Sequence, residues 1–344
     1  MGREDSLLVF SSYYDGIQAQ LKETINGSPF AFYDMLRYHM GWQDESGYPC
    51  HERLGKLVRP TLCLLSCQAV GGSASQILPG AAALELIHNF SLIHDDIEDA
   101  SCERHHRSTL WKLWGQAQAI NAGDSMFALA CLALLRLREN GVAERKIMHC
   151  IEVLTETSLQ LCEGQYLDIL YEDRLDITTA DYLNMIVKKT AALMAVSTSL
   201  GAYLGIEDEK TVDCFYQFGK ELGLAYQVRD DILGVWGTEE STGKSAESDI
   251  RRKKKTLPVV YGLENSQGEN RKELVKFYSQ ECIQGEDVFK VTRILEQLGA
   301  KDYAEKLIEQ HYHRALAHLD ATGIALSRQA PLKEAARFLV ERDY

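Results

Sequence analysis

The sequence predicts an all-α protein that folds as a single domain over residues 1–344. Only six prolines occur in the chain, and apolar residues return at helical spacing through most of its length. Turn signals separate the helical segments, with no low-complexity linker and no internal repeat between them. Hydrophobic residues make up 45% of the chain, which is enough to bury a sizeable core. We therefore expect one bundle of roughly ten or more helices.

Helical patterns begin near Ser6 and continue to the end of the chain. Clusters of Gly, Asn, Ser and Asp predict breaks between helices at 26–29, 71–73, 139–141, 205–208 and 265–269. Two longer polar stretches predict loops, one at 42–55 and one at 237–255. The second is the longest and most strongly charged insertion, so we expect it to be the functional loop.

The composition excludes some partners and favours one compartment. A net charge of −13 argues against nucleic acid, because the phosphate backbone needs a basic face. An acidic chain that binds an anionic substrate must use local cations or metal ions. Nine scattered cysteines without a CxxC pair are typical of reduced thiols in a cytoplasmic protein. The longest apolar run, at 126–135, is shorter than the roughly 20 residues of a membrane span, so no span is predicted.

A first acidic cluster follows an apolar helical run. The stretch LIHDDIED (92–99) contains four carboxylates, those of Asp95, Asp96, Glu98 and Asp99. Helical spacing places Asp95 and Asp99 on one face, with Asp96 about one step round. Two carboxylates on a half-buried face raise each other's pKa or recruit a cation, and oxygen ligands suit Mg²⁺. The alternative is an exposed acidic helix end that Arg104 and Arg107 neutralise.

A second acidic cluster lies in GLAYQVRDDILGVWG (223–237). Gln227, Asp230 or Asp231, and Gly234 share helical spacing, and Gly219 and Gly223 continue the stripe upstream. These glycines let another helix or a substrate come close. If the two acidic faces meet, they form a pocket for several divalent ions and, through them, a polyphosphate. The alternative is two unrelated acidic surface patches.

A diphosphate also needs positively charged side chains. The candidates lie beside or between the acidic segments: Lys56, Arg59, Arg104, Lys189 with Thr190, Lys244 and Lys254. Arg suits bidentate phosphate contact, whereas Lys acts as a point charge. Each could be a solvated surface charge by itself, and it is their placement that favours a site. His88 lies on the Asp95 stripe, about two turns earlier.

Taken together, these motifs resemble the trans-type isoprenyl diphosphate synthases of the polyprenyl synthetase family. The matching segments are GKLVRP (55–60), ELIHNFSLIHDDIED (85–99), AINAGD (119–124), KKTAALMAVSTSLGA (188–202), YQVRDDILG (226–234) and the GK, Asp, Lys and TLP positions of 243–258. The resemblance implies the isoprenoid synthase type I fold, a helical bundle around a deep central pocket, in a homodimer. It also implies Mg²⁺-assisted ionisation of an allylic prenyl diphosphate and its condensation with isopentenyl diphosphate.

The resemblance assigns roles residue by residue. Asp95, Asp99 and Asp230 would hold three Mg²⁺ ions, with Asp96 and Asp231 in support. The allylic diphosphate would be held by Arg104, Lys189, Thr190, Gln227, Lys244 and Lys254. Isopentenyl diphosphate would be held by Lys56, Arg59 and His88. Asp95, Asp99, Asp230, Lys189 and Arg104 would act on the departing pyrophosphate and so be catalytic.

The chain departs from the family pattern near both clusters. His105 stands where the family has a second Arg that serves isopentenyl diphosphate, and it would still bind that substrate by donating a hydrogen bond, with a less certain charge at pH 7. Ser108 stands where Pro is common. Gly234 replaces the third Asp of the second motif, which should weaken the outer support of the metals. These changes affect the acceptor half and the rim, so we expect ionisation to survive better than condensation.

Two other functions are compatible with parts of this pattern. A class I terpene cyclase would ionise the same substrate, but it has no use for Lys56, Arg59 and His88. A non-catalytic partner subunit would not need intact aspartates on both helices. The resemblance also implies that bulky residues four and five positions before Asp95 close the pocket floor, and here those positions are Ser91 and Phe90. One small and one aromatic residue predict geranylgeranyl diphosphate, with farnesyl diphosphate next.

Overall fold

The computed structural model describes residues 3–26, 30–50, 55–237 and 248–342, and these are largely helical. The prediction of an all-α protein with ten or more helices is confirmed. Within the described ranges, β structure is limited to an antiparallel hairpin of β1 (Glu103–Arg104) and β2 (Arg107–Ser108) and one bridge between Gln43 and Pro49.

The helices of the first half of the chain are α1 (Arg3–Ile25), α2 (Phe32–His39), α3 (Val58–Ala69), α4 (Leu78–Glu98), α5 (Leu110–Trp114), α6 (Gln116–Leu135) and α7 (Glu144–Tyr171). Short 3₁₀ helices occupy Ser75–Ile77 and Arg136–Asn140. The predicted breaks at 71–73 and 139–141 separate these elements, and Gly141 adopts a φ of 78° that favours glycine. Part of the predicted break at 26–29 and part of the loop at 42–55 lie outside the described residues.

The remaining helices are α8 (Thr179–Ile186), α9 (Ala192–Gly205), α10 (Glu209–Trp236), α11 (Ser248–Arg251), α12 (Leu257–Asn265), α13 (Gly268–Tyr278), α14 (Glu286–Gln297), α15 (Ala300–Ala321) and α16 (Leu326–Glu341). A π turn, Val187–Ala191, joins α8 to α9. The predicted breaks at 205–208 and 265–269 are confirmed, since α9, α10, α12 and α13 end or begin there.

The chain divides into two compact units. The first comprises Met1–Ser158, Val196–Tyr216 and Thr322–Ala335, and the second comprises Leu159–Ala195, Gln217–Ala321 and Ala336–Tyr344. That the whole chain is one domain around a deep central pocket stays a prediction.

The first unit is built around α4, which packs against α1, α3 and α6. Small residues allow the close approach of α4 and α6. A Cβ at Gly123 would lie 2.2 Å from Nε2 of His94, so only glycine fits there. Gly201 of α9 similarly allows α3 to approach, because a Cβ at this position would lie 2.0 Å from the carbonyl oxygen of Cys63.

The second unit has its own apolar core. Residues of α10 to α14 form it, among them Val235, Ile250, Val259, Leu263 and Phe277. Two glycines bring other helices close to the π turn. A Cβ at Gly164 of α7 would lie 2.4 Å from the amide nitrogen of Lys189, and one at Gly223 of α10 would lie 2.7 Å from Cα of Ala191. The prediction that Gly223 admits another helix is thus confirmed.

By length and composition, one helical stretch of the described residues could cross a membrane. It is Gln116–Asn140, with a mean hydropathy of 1.4 over its most apolar window. The same composition occurs in core helices of soluble proteins, and α6 packs along α4. Only 44% of that window is buried within this chain. The stretch is therefore weak evidence for a membrane span. Part of its apolar surface is exposed in the single chain.

Candidate active site

The first acidic cluster lies where α4 ends. The amide of Asp99 donates to the carbonyl of Asp95 at 2.8 Å, and the amide of Ser101 donates to that of Asp96 at 2.9 Å. Ala100 between them has a φ of 48°, the left-handed conformation that ends many helices. The cluster therefore extends over the last turn of α4 and its cap.

Arg104 neutralises one member of this cluster. Its Nε atom donates to both carboxylate oxygens of Asp96, at 3.0 and 3.1 Å, while a terminal nitrogen lies 3.6 Å from Asp95. Burial raises the pKa of Asp96, and the Arg104 guanidinium opposes that effect. The side chain of Asp96 is 4% exposed and that of Asp95 is 20% exposed. Asp96 therefore anchors Arg104, and Asp95 is the more open of the two carboxylates.

The β1–β2 hairpin carries Arg104 and is braced by the segment after α2. His105 and His106 form its two-residue turn, with φ values of 51° and 59°. Arg107, which one alternative assigned to neutralising the acidic cluster, contacts the segment after α2 and a residue of α2. It donates to the carbonyl of Gln43 at 2.7 Å, and its guanidinium lies 4.2 Å from the ring centroid of Tyr38. Tyr38 in turn donates to the carbonyl of Ser108 at 2.8 Å.

The predicted acceptor residues of the first unit share one electrostatic environment. Burial lowers the pKa of His88 well below its usual value, and the positive charges of Arg59 and Arg104 add to the effect. Burial raises the pKa of Glu85, and Arg59 partly offsets it. The structure thus brings Arg59, His88 and Arg104 within electrostatic reach of one another. Lys56 immediately precedes α3, beside Leu57, whose φ is 50°.

His39 joins this group, and the sequence reasoning missed it. It is the last residue of α2 and hydrogen-bonds Asn89, which donates to the backbone carbonyl and Oε1 of Glu85 at 2.7 and 3.2 Å. Burial lowers the pKa of His39 to about 3, with a further contribution from the Arg104 charge. No motif marks His39 in the sequence, because its partners lie far away along the chain.

In the second cluster, Asp231 is fully engaged. Its carboxylate accepts hydrogen bonds from the hydroxyl of Tyr182, from Nε2 of Gln227 at 3.1 Å and from the amide of Leu257 at 3.0 Å. Burial raises its pKa to about 7, and the Tyr182 hydrogen bond opposes that shift. Oε1 of Gln227 accepts from the hydroxyl of Thr190 at 2.8 Å. A chain of hydrogen bonds therefore orients two of the predicted diphosphate ligands.

Asp230 has a different environment from its neighbour. Its side chain is 40% exposed and is paired with Arg342, near the end of the chain. Asp230 is therefore the open carboxylate of this cluster. Arg342 did not appear in the sequence reasoning, since a single Arg beyond the last helix carries no pattern.

The π turn presents Lys189 and Thr190. Nζ of Lys189 lies 2.5 Å from a carboxylate oxygen of Asp168 on α7, and Lys188 pairs with Glu163 on the same helix. Single π turns inside helices are frequent at functional sites. The sequence reasoning missed Asp168, although it lies one turn after the Gly164 that admits the π turn.

Gly234 has a structural role that the sequence did not reveal. A Cβ at this position would lie 1.9 Å from Oδ2 of Asp249, on α11. The carboxylate of Asp249 therefore occupies the space next to α10 where the family has its third Asp side chain. The amide of Lys254 donates to the carbonyl of Asp249 at 2.9 Å, which places this predicted ligand one turn further on. Lys244 lies outside the described residues.

The two residues predicted to set product length lie on α4. The ring of Phe90 packs at 5.0 Å from the ring of His94 and at 5.8 Å from that of Phe127 on α6. The hydroxyl of Ser91 donates to the carbonyl of His88 at 2.8 Å. Phe90 therefore faces the α4–α6 contact within the first unit.

Within the described residues, no group of three or more Asp, Glu, His or Cys side chains is arranged to hold a metal ion alone. This is compatible with Mg²⁺, which usually binds proteins through one or two carboxylates and completes its coordination with waters and substrate phosphates. Asp95 and Asp230, the more open carboxylates, are the predicted ligands of that kind. The juxtaposition of the two clusters, and with it the shared metal site, stays a prediction.

Comparison with known proteins identifies the family. The family model described as polyprenyl synthetase matches residues 44–296, most of the chain. The chain belongs to the polyprenyl synthetase family. A (2E,6E)-farnesyl diphosphate synthase of Mycobacterium tuberculosis is 35% identical over 311 residues, which cover 90% of this chain and 85% of the relative. A geranylgeranyl diphosphate synthase of the same organism is 37% identical over 286 residues, covering 83% and 80%.

Solved structures agree with this assignment. The crystal structure of polyprenyl synthetase from Streptomyces coelicolor A3(2) superposes with a TM-score of 0.85 at 34% identity, covering 98% of each chain. This polyprenyl synthetase is therefore an enzyme of the trans-isoprenyl diphosphate synthase type, a prenyltransferase with the all-α isoprenoid synthase fold, as the sequence motifs predicted.

Proposed function

We propose that this polyprenyl synthetase condenses isopentenyl diphosphate with an allylic prenyl diphosphate and releases pyrophosphate. The observation that carries the proposal is the set of Arg59, His88 and Arg104 beside the Asp95 cluster. Arg104 beside the carboxylates suits the metal-bound allylic diphosphate, and Arg59 with His88 provides a charge and a hydrogen bond for a second diphosphate close by. A terpene cyclase takes only one diphosphate, so it would not need this set.

Asp95, Asp99 and Asp230 would hold three Mg²⁺ ions together with the allylic diphosphate. Bound Mg²⁺ supplies positive charge that stabilises the departing pyrophosphate. Lys189, Thr190 and Gln227 hold the same diphosphate, the last two through the hydrogen bonds that Asp231 orients. Lys254 and Lys244 complete this group from the functional loop.

The bond changes follow from holding the two substrates side by side. The allylic C–O bond breaks with its electron pair on pyrophosphate, and the double bond of isopentenyl diphosphate attacks the resulting cation. A proton leaves the adjacent carbon, and pyrophosphate accepts it. Arg59, Lys56 and His88 hold the acceptor. In the free protein, burial and the charges of Arg59 and Arg104 lower the pKa of His88, so its ring offers a hydrogen bond to the incoming substrate.

The test of this function uses purified protein with Mg²⁺ and a shorter allylic substrate, geranyl diphosphate, with and without isopentenyl diphosphate. Elongated diphosphates formed only when both substrates are present support the proposal. Hydrocarbons formed from the allylic substrate alone would identify a cyclase. If neither product forms and the protein binds a homologous chain tightly, it is a non-catalytic subunit.

The proposed main product is geranylgeranyl diphosphate, with farnesyl diphosphate next. Phe90 is the proposed floor, because its ring is bulky and packs against His94 and Phe127. Phe90→Ala should lengthen the product by at least one isoprene unit, measured by mass spectrometry of the dephosphorylated alcohols. Ser91→Ala, which removes only a hydroxyl, is the matched control. An unchanged product from F90A would show that Phe90 is not the floor.

The enzyme is proposed to be a cytoplasmic homodimer. The apolar surface of α6 supports the dimer, because 46% of the surface of Ile120 and 55% of that of Leu132 are exposed in the single chain. A second copy of the chain would cover that apolar face. Light scattering should give twice the mass of 38.7 kDa, and Leu132→Glu should give the monomer mass. A monomeric wild type would contradict the dimer.

A further inference from the structure

The C-terminal end of the chain contributes a buried cation to the second acidic cluster. Arg342 follows directly after α16 and pairs with Asp230, and its guanidinium lies 4.0 Å from the ring centroid of Tyr226. The Arg342 side chain is only 9% exposed, and its buried Nε atom has no hydrogen-bond partner. A desolvated guanidinium needs a counter-charge, and the carboxylate of Asp230 supplies it.

Arg229, the residue next to Asp230, holds the C-terminal backbone in place. Its Nε atom donates to the carbonyl of Val340 at 2.8 Å. Its two terminal nitrogens bind the carboxylate of Glu305 at 3.0 and 2.9 Å, which fixes the guanidinium. The backbone two residues before Arg342 is thus fixed on α10, so the Arg342 side chain is directed to Asp230 by an anchored segment.

This arrangement places two cations in competition for one carboxylate. Under the proposed function, on which this inference rests, Asp230 binds Mg²⁺ together with pyrophosphate. We infer that Arg342 is a positioning residue that holds Asp230 in the free enzyme and is displaced from it when Mg²⁺ and pyrophosphate bind. The enzyme gives up this ion pair on metal binding, so the pair lowers the apparent affinity for the metal complex.

The test is calorimetric titration of inorganic pyrophosphate into full-length protein at several Mg²⁺ concentrations. Arg342→Ala should tighten pyrophosphate binding by roughly fivefold or more at low Mg²⁺, and the gain should shrink as Mg²⁺ saturates. Arg342→Lys, which keeps the charge but loses the planar guanidinium, should show a smaller gain. Arg174→Ala is the matched control, because it removes one positive charge from an exposed pair with Asp176 in the same unit.

The outcomes separate the inference from the function on which it rests. If the wild type binds the Mg²⁺–pyrophosphate complex but R342A binds it equally or more weakly, the inference is overturned and the proposed function stands. A gain that does not depend on Mg²⁺ concentration also overturns it. If no variant binds pyrophosphate with Mg²⁺, both fail. Should R342A not fold, the gain expected for R342K decides the matter.

Discussion

At the scale of single residues, adjacent carboxylates of one motif differ in burial and in their hydrogen-bond partners. Asp231 is buried and accepts three hydrogen bonds, so it orients Gln227 and, through it, Thr190. Asp230, one position earlier, is much more exposed and is paired with Arg342. Asp96 and Asp95 divide in the same way, with Asp96 anchoring Arg104. The sequence predicts the carboxylates themselves but not this division, because it depends on partners distant in the chain.

The lowered pKa of His39 predicts an acid-sensitive stability. Its folded pKa is about 3, below the 6.5 of the unfolded chain, so the unfolded state binds more protons as the pH falls below 6.5. Stability is therefore complete above that pH and is lost towards pH 3. When the pH is lowered from 7.5 to 5, the free energy of unfolding should fall in both proteins. The fall should be smaller in the His39→Gln variant than in the wild type, by up to about 2 kcal/mol.

The measurement is urea unfolding of both proteins at the two pH values. His149→Gln is the control, because it makes the same substitution at an exposed histidine of the same unit. Equal pH dependence in the wild type and H39Q would show that His39 is not held neutral by the fold.

The left-handed backbone at Ala100 gives a second prediction at this scale. A residue with a Cβ is strained at a φ of 48°, whereas glycine is not. Ala100→Gly should therefore raise the free energy of unfolding by about 0.5–1 kcal/mol. Ala317→Gly, at an exposed position inside α15, should lower it by about 1 kcal/mol. Chemical denaturation measures both, and equal losses in the two variants would contradict the strain.

At the scale of elements, close packing between helices explains why several of the sequence motifs contain glycine. AINAGD contains Gly123, which admits His94 between α4 and α6. Gly223 and Gly164 admit the π turn that presents Lys189 and Thr190. The helices and their breaks could be predicted because periodicity and turn residues are local signals. The π turn, the Arg104 hairpin and the role of Asp249 could not, because each depends on contacts between distant segments.

The contact between Gly234 and Asp249 predicts that the family's usual residue is harmful here. Gly234→Asp should clash with the Asp249 carboxylate, add a like charge, and lower the free energy of unfolding by about 1–3 kcal/mol. Asp249→Gly in the same chain should recover a large part of that loss. Thermal unfolding of the two single variants and the double variant tests this. Additive losses would mean that the two residues do not compete for one space.

At the scale of the whole molecule, the chain carries one acidic cluster in each of two compact units. Each cluster has a buried carboxylate that holds a neighbour and a more exposed one that is the proposed metal ligand. In the first unit the cluster is accompanied by Arg59, His88 and His39. In the second unit it is accompanied by Lys189, Thr190 and Gln227. The proposed reaction requires that both clusters act on the same substrate diphosphate.

Binding of inorganic pyrophosphate in the presence of Mg²⁺ tests this requirement most directly, measured by calorimetry on Asp95→Asn, Asp230→Asn and the double variant. If both aspartates hold one metal–pyrophosphate complex, each single variant should weaken binding at least tenfold, and the double variant should lose less than the sum of the two free-energy losses. Strictly additive losses, or full binding after either substitution, would contradict a shared site.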